Sequence, residues 1–328
     1  MLSSSRTLGL TLLVGCAVFS TFCGGTPTSP SVTPQVTTLA TAEGTATETP
    51  NSGGPPAGAP PATPPPAGSG SAWLNAIGDT GWCGSQAMPQ VARLLDNLPG
   101  DILLAGDIAY MNGTADEFRR CFDPDFGRFG NRLRPTPGNH DYGTPNADGY
   151  FGYFGHRAGS DRRGFYAFRA GAWKVLMLNS SVPIGRNSEQ FLWIQRQLDE
   201  DPTRCTLASI HHPFESSGSN GPNPWLRDVW GLLHSKGVEM VVAAHDHLYE
   251  RFGPMDADQR ADPARGVRQF TAGTGGAPLY SRGRVAANSE TLIQQHGVLR
   301  LKLEPSLYEW QFVDVNGATL DQGLSVCH

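Results

Sequence analysis

Lysine is nearly absent: Lys174, Lys236 and Lys302 are the only three among 25 basic side chains in 328 residues, and the rest are arginine. Those arginines form no basic tract and no aromatic-basic stripe, and the net charge is −5. A broad nucleic-acid-binding surface is therefore not expected. Cysteine is scarce, and no Cys-x-x-Cys pair occurs, which argues against a four-cysteine zinc site. No nucleophile elbow surrounds Ser216 and Ser217, so loop hydrogen bonding is the better reading for both. "GTGG" at 273–276 lacks the remainder of a nucleotide-binding pattern and reads as a tight turn. There is no internal repeat. Residues 24–71 hold no aromatic side chain and only two charges, Glu43 and Glu48. Such a segment cannot bury enough apolar area to offset its ordering entropy, and it reads as a disordered Pro/Thr/Ser/Gly-rich linker or stalk.

Ahead of that stalk, residues 1–23 carry one positive charge, Arg6, and then an apolar run. This pattern predicts a secretory signal peptide, and export with it. "LVGC" at 13–16 resembles a lipobox, which implies a lipidated Cys16 and membrane attachment at the cell surface. Cleavage near Ser20 would instead leave a secreted or periplasmic chain. Four cysteines follow the stalk: Cys83, Cys121, Cys205 and Cys327. An even number in an exported chain predicts two disulfides. Three pairings are possible, and proximity favours Cys83–Cys121 with Cys205–Cys327.

Residues 72–328 are long enough for one large α/β domain. Short apolar runs end in polar residues: "AWLNAIGD" at Asp79, "DILLAGD" at Asp107, "LRPTPGNHD" at Asn139, His140 and Asp141. "CTLASIHH" ends at His211 and His212, and "VEMVVAAHDH" at His245 and His247. Between them, 85–98, 187–201 and 224–237 carry helical spacing, with Asn187 as N-cap, Gln190 three residues on, and Gly237 as a C-cap. Trp193, Trp225 and Trp230 sit at helical spacing and are expected in the core. His156, His234, His296 and His328 belong to no such run and read as structural. Segments 266–276 and 296–317 read as a late antiparallel hairpin. Strands alternating with helices predict an α/β sheet, whose sites gather beyond the carboxyl ends of the strands.

The strand-end residues offer oxygen and nitrogen donors and no thiolate. Such a set suits iron, zinc or manganese rather than calcium. There are too many donors for one tetrahedral zinc, but enough for two metals sharing a bridging carboxylate. His245 and His247 lie two apart, so a strand would point both to one side.

Five blocks, "GDTG" (78–81), "GDIAY" (106–110), "GNHD" (138–141), "ASIHH" (208–212) and "AHDH" (244–247), resemble in order and spacing the signature blocks of purple acid phosphatases, within the calcineurin-like metallophosphoesterase superfamily. The likeness spans about 73–280 and matches the short single-domain form. It implies a metallophosphoesterase-type β-sandwich of two mixed sheets flanked by helices (αββα). It implies that Asp79, Asp107, Tyr110 and His247 hold Fe(III), the phenolate giving a purple colour. Asp107 would bridge to a second ion, Fe(II), Zn or Mn, also held by Asn139, His211 and His245. The implied activity is hydrolysis of small-molecule phosphomonoesters by a metal-bound hydroxide. His140 would contact phosphate or protonate the leaving alcohol, Asp141 would orient His140, and His212 would face the substrate. Two positions depart from the pattern. Ala244 replaces a usual glycine, and Asn220 stands where relatives often have a substrate-pocket histidine. Phosphodiester hydrolysis on the same ligands is the alternative within enzymes, and a non-catalytic phosphate- or metal-binding surface protein the alternative outside them.

Overall fold

A computed structural model describes residues 70–328. The expected signal segment, Cys16 and nearly all of the stalk lie outside the described residues. In chain order the strands are β1 (Ala72–Ile77), β2 (Asp101–Ala105), β3 (Leu133–Thr136), β4 (Tyr166–Ala170), β5 (Trp173–Met177), β6 (Thr206–Ser209) and β7 (Met240–Ala243). They continue with β8 (Tyr249–Phe252), β9 (Arg268–Ala272), β10 (Ser289–Ile293), β11 (Gly297–Glu304), β12 (Leu307–Asp314) and β13 (Thr319–Val326).

Two mixed sheets result. One runs β13-β12-β11-β1-β2-β3 and the other β10-β8-β9-β7-β6-β5-β4. Strands β1, β2 and β3 are mutually parallel, as are β5, β6, β7 and β9. Their residues are buried on both faces, which explains the continuous apolar runs. Leu74, Leu103, Trp173, Val175, Met240, Val242, Leu299 and Trp310 fill the layer between the sheets. On the outer face of the first sheet, Ile77, Ile102 and Leu104 pack under the helix Met88–Asp96 and the aromatic segment around Phe118–Phe154. On the outer face of the second, Leu176, Ala208 and Val241 pack under the helices Glu189–Glu200 and Arg227–Ser235. The expected αββα sandwich is the fold.

Three local expectations are corrected. Segment 266–276 does not join the hairpin: β9 lies in the other sheet, parallel to β7, while β11 and β12 alone form the hairpin. The cap of the helix Glu189–Glu200 is Ser188, whose hydroxyl accepts from Phe191 N at 3.1 Å, and Asn187 precedes it with φ 67°. Gln190 does not reach back to that cap. It is buried and brackets the main chain of Asn179, accepting from its N and donating to its O, both at 2.8 Å. The helix beginning at Arg227 leaves Trp225 in a preceding 3₁₀ turn, 48% exposed, whereas Trp230 is 2% exposed. Both disulfides form as proximity favoured, Cys83–Cys121 and Cys205–Cys327. Among the described residues no helix is long and apolar enough to cross a membrane.

Candidate metal centre

The parallel strands of both sheets end at one edge of the sandwich, and the chain turns there. Asp79, Asp107 and His245 each adopt left-handed φ values of 56°, 50° and 71°. A non-glycine residue pays about 1–3 kcal/mol for such a conformation, so the surroundings must hold it. At Gly106, φ is +87°, and a Cβ would meet the His211 ring at 2.5 Å. Glycine is required there so that the imidazole can lie against the chain leading into Asp107.

Two groups of donors face one another. In the first, Tyr110 Oη lies 2.8 Å from Asp79 Oδ1, 3.2 Å from Asp107 Oδ2 and 3.1 Å from His247 Nε2. His247 Nε2 is 3.4 Å from Asp79 Oδ1. In the second, His211 Nε2 lies 3.2 Å from Asp107 Oδ2, 3.1 Å from Asn139 Oδ1 and 3.2 Å from His245 Nδ1. Asp107 Oδ2 belongs to both groups. Its other oxygen accepts from His140 N at 2.8 Å and is held out of the way. Asp107, His211 and His245 place ligand atoms within 4.8 Å of one another.

The donor set fits metal ions. Metal–nitrogen and metal–oxygen bonds of about 2.1 Å put neighbouring ligand atoms about 3 Å apart, which is the spacing seen in both groups. The imidazoles are aimed as well: His211 Nδ1 bonds Ala105 O and His247 Nδ1 bonds Pro278 O, each at 2.8 Å. In the neutral imidazole, with Nδ1–H donating to a carbonyl, Nε2 carries the lone pair pointing inward that a metal would take. His245 N donates to Asp79 Oδ2 at 2.9 Å, tying the two strand ends together.

The titration pattern follows from this crowding. Burial is the largest influence on His211 and would lower it, but the carboxylates of Asp107 and Asp79 outweigh burial and push it up to about 9. His245 moves the other way, down to about 4, through burial and then the neighbouring His211. Burial, then His211 and His245, lowers His212 to about 2. Bound cations would drive both of these imidazoles further in the same direction.

The substrate-side expectations are placed unevenly. His140 bonds Met111 O through Nδ1 at 2.7 Å, and its Nε2 lies 4.0 Å from Asp107 Oδ2, beside the donor groups. His212 packs on His245, with centroids 4.4 Å apart, and its Nδ1 meets Ser180 Oγ at 2.8 Å. Asn220 is exposed and donates through Nδ2 to His245 O at 2.9 Å. Asp141 is corrected. It does not pair with His140; its carboxylate accepts from Gly138 N (2.8 Å), Ile108 N (3.1 Å) and Ala109 N (3.4 Å). A fully buried carboxylate beside unpaired loop amides satisfies those first, and the result clamps the Asp107 loop to the Asn139 loop. Ala244 faces Gly78: a Cβ at 78 would come within 2.3 Å of the Ala244 methyl. The departure at 244 is thus accommodated by a glycine opposite. Ser216 and Ser217 donate to Asp246 and Glu250 and carry loop structure, as expected.

Sequence reasoning missed three neighbours. Ser180 follows β5, and the strand-end pattern that found the other residues also marks it. Tyr280 stacks on His247 at 3.8 Å between centroids, and no motif surrounds it. Trp225 lies with its ring 5.5 Å from that of His212.

Comparison with known proteins gives a consistent result. The family described as calcineurin-like phosphoesterase matches residues 73–249. Purple acid phosphatase 21 of Arabidopsis thaliana is 30% identical over 195 residues, covering 53% of this chain and 43% of that protein. Purple acid phosphatase 15 of the same plant is 27% identical over 198 residues, covering 49% and 37%. The chain therefore spans less than half the length of these relatives. The structure of purple acid phosphatase PPD1 from yellow lupin seeds superimposes with a TM-score of 0.67 at 17% identity, covering 80% of this chain and 55% of that one.

Proposed function

The chain belongs to the calcineurin-like phosphoesterase family, and on that premise we propose that it hydrolyses phosphomonoesters at a two-metal site. The observation that carries the reading is Asp107 Oδ2, shared between two donor groups that each have ligand spacing. In this reading Asp79, Asp107, Tyr110 and His247 hold iron(III). Asp107, Asn139, His211 and His245 hold the second ion: iron(II), zinc or manganese. Two such ions supply positive charge to the phosphoryl oxygens and activate water.

The chain's own groups do the rest. His140 Nδ1 is occupied by Met111 O, so Nε2 is the atom that meets phosphate or protonates the leaving alcohol. In this reading Ser180 Oγ, which already accepts from His212 N, donates its hydrogen to His212 Nδ1, which would put the His212 proton on Nε2, ready to bond a phosphoryl oxygen. Asn220 keeps one amide hydrogen free for the same purpose. Asp141 positions the two loops without touching substrate.

The test is p-nitrophenyl phosphate hydrolysis by the chain purified after supply of iron and zinc, beside Asp107→Ala. Turnover by the parent and loss of at least about 10³-fold in the variant is the expected outcome. Faster cleavage of bis(p-nitrophenyl) phosphate would move the reading to diesters. Tight phosphate binding with bound metal and no turnover of either would replace hydrolysis by a binding role. Export is part of the same proposal. The leader at 1–23 and two disulfides suit an oxidising compartment. The intact mass of the mature chain tests it: a diacylated Cys16 supports anchoring, and an unprocessed Met1 overturns export.

A further inference from the structure

Trp225 and Met111 are 48% and 49% exposed. A single exposed apolar side chain needs no explanation. These two differ from the ordinary case in where they stand and in how they are held. Trp225 lies against His212, with ring centroids 5.5 Å apart, and His212 in turn packs on His245. Met111 follows Tyr110, and its carbonyl accepts from His140 Nδ1 at 2.7 Å. The two residues thus adjoin the two imidazoles, His212 and His140, that the proposed reaction assigns to the substrate.

Trp225 is fixed through its indole, and Met111 through its main chain. Trp225 Nε1 donates to Asn223 Oδ1 at 3.1 Å. Asn223 donates through Nδ2 to Pro213 O at 2.9 Å and through N to Phe214 O at 3.1 Å. That chain of bonds ties the indole to the loop leaving His211 and His212. Met111 N donates to Glu117 Oε1 at 2.6 Å, and Glu117 is locked in a capping box with Thr114. An exposed ring held rigid against the site loses little freedom when something packs on it. The donors deeper in the site are charged or polar, so the phosphoryl end of an ester belongs there. Trp225 and Met111, each beside one of the two substrate-side imidazoles, are apolar and suit contact with the alcohol end.

We propose that Trp225, with Met111, is a specificity surface for the alcohol half of the substrate, so that the site selects phosphomonoesters of bulky apolar or aromatic alcohols over those of small or polyhydroxylated ones. The proposal rests on the phosphomonoesterase reading and narrows its substrate class.

Leaving-group acidity must be held constant in the test, so 3-phenylpropyl phosphate is compared with propyl phosphate. The metal-loaded protein should show kcat/KM at least about tenfold higher for the first, the discrimination that an apolar contact of this size supplies. In Trp225→Ala that ratio should fall toward one, Trp225→Phe should retain most of it, and Leu192→Ala, an exposed apolar change on the helix Glu189–Glu200, should leave it alone. Calorimetry with 3-phenylpropylphosphonate and propylphosphonate gives the same comparison without turnover. Equal kcat/KM for the two esters in the parent protein, or a ratio unchanged in Trp225→Ala, overturns the proposal while leaving phosphomonoester hydrolysis intact. No turnover of either ester, together with a phosphonate preference that Trp225→Ala abolishes, overturns hydrolysis and keeps the apolar surface. No turnover and no phosphonate preference overturns both.

Discussion

Burial, and after it the carboxylates of Asp79 and Asp107, pushes the Tyr110 phenol well above its ordinary value. A phenol so placed needs a strongly charged cation to give up its proton, and the proposed iron(III) would supply one. The iron-loaded chain is expected to absorb visible light, and Tyr110→Phe to lose that band while keeping most of its iron by metal analysis. A band surviving in the variant would remove Tyr110 from the first site. Burial, and after it His211 and His245, lowers His212 to about 2, so in the proposed reaction it would serve as a neutral hydrogen-bond donor. In that reading proton delivery would fall to His140. His140→Ala should slow hydrolysis of an alkyl phosphate by about 10²–10⁴-fold. Its effect on p-nitrophenyl phosphate, whose leaving group needs little protonation, should be much smaller. Similar losses on both substrates would count against this role. The identity of these residues was legible because they are chemically distinctive and close strands. The role of Asp141 was not, because adjacency in sequence to His140 says nothing of the three backbone amides that its carboxylate meets.

At the scale of elements, the site depends on how closely the ends of β1 and β7 approach. Gly78 and Ala244 share a space that holds one methyl group. Gly78→Ala should destabilise the protein by about 1–3 kcal/mol through overpacking. Adding Ala244→Gly should recover a large part of that loss in thermal or denaturant unfolding. Additive losses in the double variant would show that the two positions do not compete. Helical periodicity located the three long helices but misjudged Trp225. The 3₁₀ turn Pro224–Leu226 breaks phase with the helix that buries Trp230, and a change of helical type leaves no clear trace in a hydrophobic pattern. The same limit applies to Gln190. Its spacing from the cap suited a capping box, yet the unpaired main chain of Asn179 was the stronger claimant.

The two sheets are also joined by a polar clamp. Asp321 on β13 accepts from Tyr249 Oη at 2.7 Å, Arg251 Nε at 2.8 Å and Trp310 Nε1 at 3.1 Å, with Tyr249 and Arg251 on β8 of the opposite sheet. Burial alone would raise Asp321, but the bonds from Arg251 and Tyr249 outweigh it and hold the carboxyl below its usual range. A depressed carboxyl adds stability above its unfolded value of about 4 and loses it as pH falls through the lower folded value. Asp321→Asn should therefore cost about 2–3 kcal/mol at pH 7. Its difference from the parent should shrink as pH drops below about 4 in unfolding curves. A difference independent of pH would show that Asp321 acts by packing alone.

By itself the sequence determined the donor chemistry and its order along the chain. It also determined that these donors close strands in an α/β domain, because side-chain identity and local period are properties of short segments. Only the tertiary structure decided that His211 reaches back 106 residues to Ala105 O, that β9 pairs with β7, that Asp107 serves two groups at once, and that Trp225 stands exposed beside His212. Those outcomes are set by which sheet faces and strand edges pack together. That is a balance of non-local burial and hydrogen bonding for which no short stretch of residues carries the pattern.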